Sequence, residues 1–373
     1  MSICIQSYTQ ELVAAVRAFN GRLAAGGVST EFCLPEHPAA GLLPKVADRR
    51  IYQEYFLARE RDSVRGAYIL KHQDFSFSGA IRPIAHLRLP ISEGIINKAY
   101  AGLALQMLRN ALRAHSSLFA LGMGGFQQPL PRMLQALGWN LHEVPFYFKV
   151  NRPWRFLRHI QPLRKTPARR LAMDLVASSG IGWLGIKSLQ AMRAQKSIPQ
   201  FAGSVQQSEG FSAWADTLWE NCQRQYSFLA VRDSATLNLL YPPGSGRFIC
   251  LRFEGDDSLL GWAVVLDTRM ENNKYFGNLR VGSIVDCLAR TENAPQVIAA
   301  AVDLLEQRGV DLIVSNQSHH CWAAALRSAG FLRGPSNFIF AASPKLADSL
   351  RPLDPQRTRL HLNRGDGDGP IHL

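Results

Sequence analysis

The tightest constraint on this chain's fold is a repeat: its second half runs through the same order of elements as its first. In the first half, strand-like runs at 52–59, 65–72 and 81–89 precede a helical pattern over 102–113. A buried strand at 118–122, a Gly-rich turn at 122–125, a short helix at 130–137 and a strand pair ending at 144–150 follow. Ahead of them lie a helical pattern over 11–23, with Leu12, Val13, Val16 and Phe19 on one face, and a Pro- and Gly-rich break at 34–44. In the second half a helix at 211–226 leads to strands at 247–253, 259–267 and 281–288. A helix at 295–308, a strand at 311–315, a helix at 320–329 and a last strand at 337–342 complete it. The spacing repeats with the order: Gly102 lies 36 residues before Gly138, and Pro295 lies 35 before Gly330. The local text agrees as well, Leu134-x-x-x-Gly138-Trp139 against Leu326-x-x-x-Gly330-Phe331. A unit of this size is a duplicated domain rather than a solenoid repeat of ~20–50 residues. The pattern predicts a mixed α/β (α+β) chain with similar domains at 1–148 and 201–345, a joining segment at 149–200 and a tail at 346–373.

Charge separates the joining segment from the domains. Of the formal +13, residues 1–148 carry 15 basic and 10 acidic side chains, 149–200 carry 11 and 1, and 201–373 carry 16 and 18. The excess is thus a local +10 on one connector, which excludes a basic surface spread over the whole fold. With 47% hydrophobic and 19% charged residues, a wholly disordered or fibrous chain is excluded too. Six cysteines without C-x-x-C spacing argue against a disulfide framework or a zinc site, and no metal is expected. The polar start at 1–10 has no apolar core of a secretory signal, so a cytoplasmic location is expected.

The loop Lys98-Ala99-Tyr100-Ala101-Gly102-Leu103-Ala104 and the Gly-aromatic turns, set in this element order, resemble the GCN5-related N-acetyltransferase (GNAT) superfamily. Two copies in one chain are similar to the tandem-GNAT group that includes Fem-type aminoacyltransferases and acyltransferases of bacterial polysaccharide synthesis. The ending Arg364-Gly365-Asp366-Gly367-Asp368-Gly369-Pro370 also resembles the tails of such chains. The resemblance implies acetyl-CoA or another acyl-CoA as co-substrate, a sugar or amino-sugar acceptor, and an acyl group moved to an amine or hydroxyl. It leaves two alternatives standing: a Fem-type transferase fed by aminoacyl-tRNA, and a non-catalytic, degenerate GNAT module at a membrane complex.

GNAT proteins carry a Gln/Arg-x-x-Gly-x-Gly/Ala loop between a central strand and the next helix. Gly102 and Ala104 match its last two positions, Ala99 departs from the first, and Lys98 stands one residue earlier. A helix N-terminus with small residues holds a pyrophosphate on its exposed N–H groups, so Lys98, Ala99, Gly102 and Ala104 are the expected cofactor-binding residues. The second-half equivalent, 290–296, has no glycine and places Pro295 in the first helical turn, with Thr291 or Asn293 as cap. The first half is therefore the expected cofactor domain.

Acyl transfer from a thioester asks for a base, an oxyanion donor and an acid for the leaving sulfur. His86, on the strand before the loop, and Glu93, within the loop, are candidate bases of the first half. Asp286 stands in the apolar strand Ile284-Val285-Asp286-Cys287-Leu288, where a carboxylate needs a partner or a task. His319-His320-Cys321 follows a strand at its carboxyl end, and His319 reads either as an acceptor-site histidine or as part of a helix start capped by Ser318. Tyr100 is a weaker candidate acid, and 366–369 reads as a mobile terminus or a flap.

In the joining segment, Lys149, Arg152, Arg155, Arg158, Arg164, Lys165, Arg169 and Arg170 run without an acid among them, interleaved with Trp154 and Phe156. An apolar stretch of 16 residues, 171–186, follows with Asp174 inside it, shorter than the ~20 residues a span needs. Three partners fit: an anionic membrane surface met by an amphipathic helix within 149–196, tRNA, or none for a solvated connector. The first places the protein on the inner face of a membrane.

Overall fold

Neither half of the chain builds its own sheet alone. The computed structural model describes residues 3–29, 32–36, 43, 45–46, 50–194, 203–255, 258–351 and 359–367. The chain divides into two units: unit 1 takes 1–75, 81–142 and 339–352, and unit 2 takes 76–80, 143–338 and 353–373. The first half contributes β1 (Cys4–Ser7), α1 (Val13–Ala25), β2 (Tyr52–Glu60), β3 (Ser63–Phe77) and β4 (Ala80–Ser92). It continues through α2 (Leu103–Ala114), β5 (Leu118–Met123), α3 (Pro129–Ala136), β6 (Asn140–Glu143) and β7 (Phe146–Val150). Three helices follow, α4 (Pro153–His159), α5 (Pro167–Ser178) and α6 (Ile181–Arg193). The second half opens with β8 (Ser204–Ser208), α7 (Ala213–Cys222), β9 (Phe228–Ala230) and α8 (Ser234–Leu240). Next come β10 (Ile249–Glu254), β11 (Leu259–Arg269), β12 (Arg280–Ala289), α9 (Ala294–Gln307) and β13 (Leu312–Asn316). The chain closes with α10 (His320–Ser328), β14 (Leu332–Gly334), β15 (Phe338–Ala342), α11 (Pro344–Ser349) and β16 (Leu360–His361).

Unit 1 orders its strands β1-β2-β3-β4-β5-β15-β6, and unit 2 orders them β14-β7-β13-β12-β11-β10-β8. The last long strand of each half has changed places. β15, from the second half, lies between β5 and β6, while β7, from the first, lies between β13 and β14. Both are short apolar runs, Phe146-Tyr147-Phe148-Lys149-Val150 and Phe338-Ile339-Phe340-Ala341-Ala342, suited to a central position with both faces covered. The sequence reading placed both strands at their right positions in the chain and assigned each to its own half; local pattern carries no information on which sheet a strand joins.

The strand β3 is buried on both faces. In β3, Ala67 and Ile69 meet α1 through Val16, Phe19 and Leu23. Tyr68 and Leu70 face the other way, into a core with Met107, Leu108 and Ala111 of α2. That two-sided burial explains why the strand reads as a continuous apolar run instead of an alternation.

The joining segment is part of unit 2. Phe156, Leu157 and Ile160 are buried in that unit's core, with Val176, Ala177 and Ile186 packed against it. The apolar stretch 171–186 is also broken into two helices. Gly180, at φ +77°, ends α5 and starts α6, a backbone conformation that favours glycine. A Cβ on Gly182 would strike Leu157 Cδ1 and lie 2.8 Å from Val176 Cγ1, so its bare backbone lets α6 close on α4 and α5.

Candidate functional site

Each unit contains a parallel pair of long strands whose pairing stops part-way along, leaving a V. In unit 1, β4 and β5 pair at only two positions, Ala85 with Leu118 and His86 with Phe119. In unit 2, β12 and β13 pair over four, from Val281 with Leu312 to Ile284 with Ser315. Beyond those rungs the strands part, and backbone N–H and C=O groups along the opening become available to a ligand or to other side chains. What fills each V decides what it can do.

In unit 1 His86 bridges from β4 to β5. The ring stacks on Phe119 at 4.5 Å and its Nε2 accepts the Leu121 N–H at 3.2 Å. With that lone pair committed to a backbone amide, His86 serves as a strut. Glu93 is likewise engaged. It is buried at 3% exposure, and its two carboxylate oxygens are held by Arg22 and by Arg65, the latter at 2.8 Å. With both oxygens held by guanidiniums, the carboxylate ties the loop that follows β4 to α1 and β3. Tyr100 adds a second anchor: its hydroxyl donates to Glu60 at 2.7 Å and its ring lies under Arg65. Gly94 permits the fold-back, since a Cβ there would lie 2.6 Å from the Tyr100 carbonyl oxygen. Neither Arg22 nor Gly94 was singled out from the sequence.

Those anchors leave the outer side of the loop exposed. Asn97 caps the short 3₁₀ turn Lys98–Tyr100, accepting the Ala99 N–H at 3.0 Å, which removes that amide from ligand binding. Lys98 and Gly102 are exposed, and Ala104 is half-buried. Gly102 is the N-cap of α2 and offers no side-chain cap, so the first N–H groups of this 12-residue helix have no capping side chain. A Cβ on Gly102 would meet no heavy atom within 4 Å, so the space above this helix end is open. The counterpart in unit 2 differs. There Ala294 is fully buried, the Thr291 N–H is taken by Gln225 at 2.9 Å, and Glu292 sits in the turn just before the helix.

The V of unit 2 is filled by the chain itself. Ser318 N–H donates to the Leu362 carbonyl at 3.0 Å, Gln317 bridges to Asn363, and β16 pairs in parallel with β9. His361 donates from Nε2 to the Cys287 carbonyl at 2.8 Å. Asp286 is fully buried and accepts three hydrogen bonds, from Asn363 Nδ2 at 2.7 Å, the Cys287 N–H at 2.9 Å and the Tyr241 hydroxyl at 2.7 Å, with Arg232 Nε in ion-pair contact at 2.8 Å. Arg232, fully buried as well, also holds Asp366. Burial alone would push the guanidinium toward neutrality, but Asp286 and Asp366 outweigh it and hold it charged. Burial and then Asp286 push the Tyr241 phenol well above its ordinary range, so it stays a donor. Asp286 is the centre of a buried ion cluster. The part of the tail at 359–367 is a built-in element: Gly365 is required because a Cβ would strike Tyr241 Oη and lie 2.8 Å from Asp286 Oδ2. The apolar run around Asp286 signalled that a partner was needed; nothing in the spacing pointed to Arg232, Tyr241, Asn363 or Asp366.

His319, rather than Ser318, is the N-cap of α10, its Nδ1 accepting the Cys321 N–H at 3.3 Å. The Ser318 hydroxyl instead donates to the Leu360 carbonyl. Burial, then His361 and His320, push His319 down to about 2, so it is neutral and a weak base. With Nδ1 accepting the Cys321 N–H, the proton of the neutral ring sits on Nε2; His320 and Cys321 lie beside it at the start of α10. Burial keeps Cys287 a thiol and excludes a thiolate nucleophile at the centre of this V.

Buried neutral histidines have a measurable consequence. Burial, then His115, lowers His72 from 6.5 to about 4 in spite of Glu54 at 2.8 Å. Below pH 6.5 the unfolded chain takes up a proton at this position and the folded chain does not until about pH 4. Stability is therefore complete above 6.5 and falls with acidification, by about 3 kcal/mol at pH 4 for this residue alone. Thermal unfolding followed from pH 7.5 downward should show the loss, and His72→Gln should flatten the slope across this window; an unaltered slope would place the proton uptake elsewhere.

No protein-family profile and no curated protein matches the sequence. Solved structures do. The chain superposes on yeast (Saccharomyces cerevisiae) N-myristoyltransferase with bound myristoyl-CoA at a TM-score of 0.52 and 10% identity, covering 92% of this chain and 79% of that one. A tandem GNAT protein from the clavulanic acid biosynthesis pathway matches at 0.50 and 15%, over 91% of this chain and 98% of that one. This chain has the tandem GNAT fold. A conserved protein from Enterococcus faecalis V583, described as a probable N-acyltransferase, gives 0.50 and 9% over 93% and 74%. The two openings differ: one is edged by a helix start exposed at Gly102, the other is closed by the chain's own tail.

Proposed function

We propose that this chain is an acyl-CoA-dependent acyltransferase whose first unit holds the cofactor. The observation that carries the reading is the exposed, uncapped N-terminus of α2, with open space over Gly102 and Lys98 beside it. Such an end supplies unpaired N–H groups and about half a positive charge to a pyrophosphate. Yeast N-myristoyltransferase, whose structure holds myristoyl-CoA, shares the fold and supports the cofactor class. The acceptor's nitrogen or oxygen attacks the thioester carbonyl; the carbon–sulfur bond breaks as the carbon–nitrogen or carbon–oxygen bond forms. The acceptor's proton ends on the departing sulfur, giving free CoA thiol. In this reading a backbone N–H from the opening of β4 and β5 donates to the carbonyl oxygen as its charge develops. The acceptor is an amine or hydroxyl of a cell-surface polysaccharide or a related sugar intermediate, a class that rests on the resemblance of the sequence to tandem-GNAT acyltransferases.

A thermal-shift titration with acetyl-CoA and longer acyl-CoAs tests the reading. At a concentration of about 100 Kd the ligand should stabilise the protein by about 2.7 kcal/mol. Absence of a shift with every acyl-CoA would overturn it.

A further inference from the structure

The helices α5 and α6 have two apolar faces. One is packed: Met173, Val176, Ala177 and Ile186 lie against the core of unit 2. The other faces outward, where Leu171, Leu175, Ile181, Trp183, Leu184 and Met192 are between 54% and 74% exposed. A helix that is apolar on its outer side as well as its inner one is built to be covered. The charges beside that face have one sign. Arg158, Lys165, Arg169, Arg170 and Arg193 are exposed, and the one acid of the segment, Asp174, is locked to Arg164 by two hydrogen bonds at 2.7 and 3.1 Å.

We propose that α5, α6 and the basic residues flanking them form a docking surface for an anionic lipid bilayer, lying in the headgroup region without crossing it. Three observations select the bilayer over other occupants. The helices are 12 and 13 residues long, about 18–20 Å, against a hydrocarbon core of ~30 Å, and no helix among the described residues is long and apolar enough to cross. A second copy of the chain would bring the same uncompensated positive charge to a face-to-face contact. An RNA would meet the cations but leave the apolar face in water, whereas an anionic leaflet takes both. The inference goes beyond the acyltransferase reading and does not depend on it.

The test is co-sedimentation of the full chain with phosphatidylcholine vesicles, with and without phosphatidylglycerol. Binding should require the anionic lipid, weaken by about fivefold for each of Lys165→Gln, Arg169→Gln and Arg170→Gln, and shift Trp183 emission to shorter wavelength. A combined Leu171→Ser, Leu175→Ser, Ile181→Ser, Leu184→Ser variant should lose at least about tenfold in partitioning at every salt concentration. All four positions are exposed, so its circular dichroism, and any acyl-CoA thermal shift of the parent, should be unchanged. Retained vesicle binding by the serine variant would overturn the proposal in favour of a bare polyanion site, which tRNA would then occupy equally well. A lipid-free dimer that the serine variant splits would overturn it in favour of self-association, and absence of binding to any vesicle would overturn it outright.

Discussion

Arg232→Met should lower the stability of the protein by about 3–5 kcal/mol, the cost of leaving a buried charge without its partner. The arginine is fully buried and is the positive member of a cluster whose carboxylates, Asp286 and Asp366, are also fully buried. Removing it strands two negative charges where no water can reach them. For a unit of this size the melting temperature should fall by roughly 6–20 °C. The cause is separable from mere loss of packing. Arg232→Met combined with Asp286→Asn and Asp366→Asn removes every charge of the cluster, and replacing a whole buried ion group is often close to neutral. The triple variant should therefore recover most of the loss. A single variant as stable as the parent would mean that the cluster is open to solvent.

The second large effect is on ligand binding alone. Gly102→Glu should abolish the stabilisation of about 2.7 kcal/mol expected from acyl-CoA at about 100 Kd, with the ligand-free protein melting where the parent does. The position is exposed, its φ of −79° suits any residue, and its side chain would enter open space, so folding has no reason to suffer. A carboxylate at a helix N-terminus is itself favourable, but it occupies and repels the site a pyrophosphate needs. Gly102→Ala adds only a methyl group and should keep most of the shift. A Gly102→Glu protein that still responds to acyl-CoA would move the cofactor away from α2, with the start of α9 as the next place to look.

Element order was legible because apolar periodicity is local: helix α2, with Leu103, Met107, Leu108 and Ala111 buried, shows it within one segment. The position of Gly102 at a helix start was legible for the same reason. The break at Gly180 was visible as a Ser-Gly pair but hidden by the apolar run on both sides of it. The roles of the polar site residues were not legible, since each is set by partners distant in the chain. Glu93 reads as a loop acid until Arg22 and Arg65 are found on its two oxygens. His86 reads as a strand histidine until the opening between β4 and β5 puts the Leu121 amide against its ring. Asp286 alone announced its need, because its neighbours in β12 are apolar, yet its partners come from β9's end and from the tail.

The exchanged strands have a consequence for synthesis on the ribosome. The sheet of unit 1 has a gap between β5 and β6 that only β15 fills, and β15 emerges some 195 residues after β6 (338 minus 143). At ~5–20 residues per second the first unit waits roughly 10–40 s with two unpaired strand edges facing each other. For most of that interval β7 is also without its partners, because β13 and β14 emerge only shortly before β15. The first half alone therefore lacks a central strand of its sheet, and two fragments from a gene cut between the halves should complete their sheets when mixed.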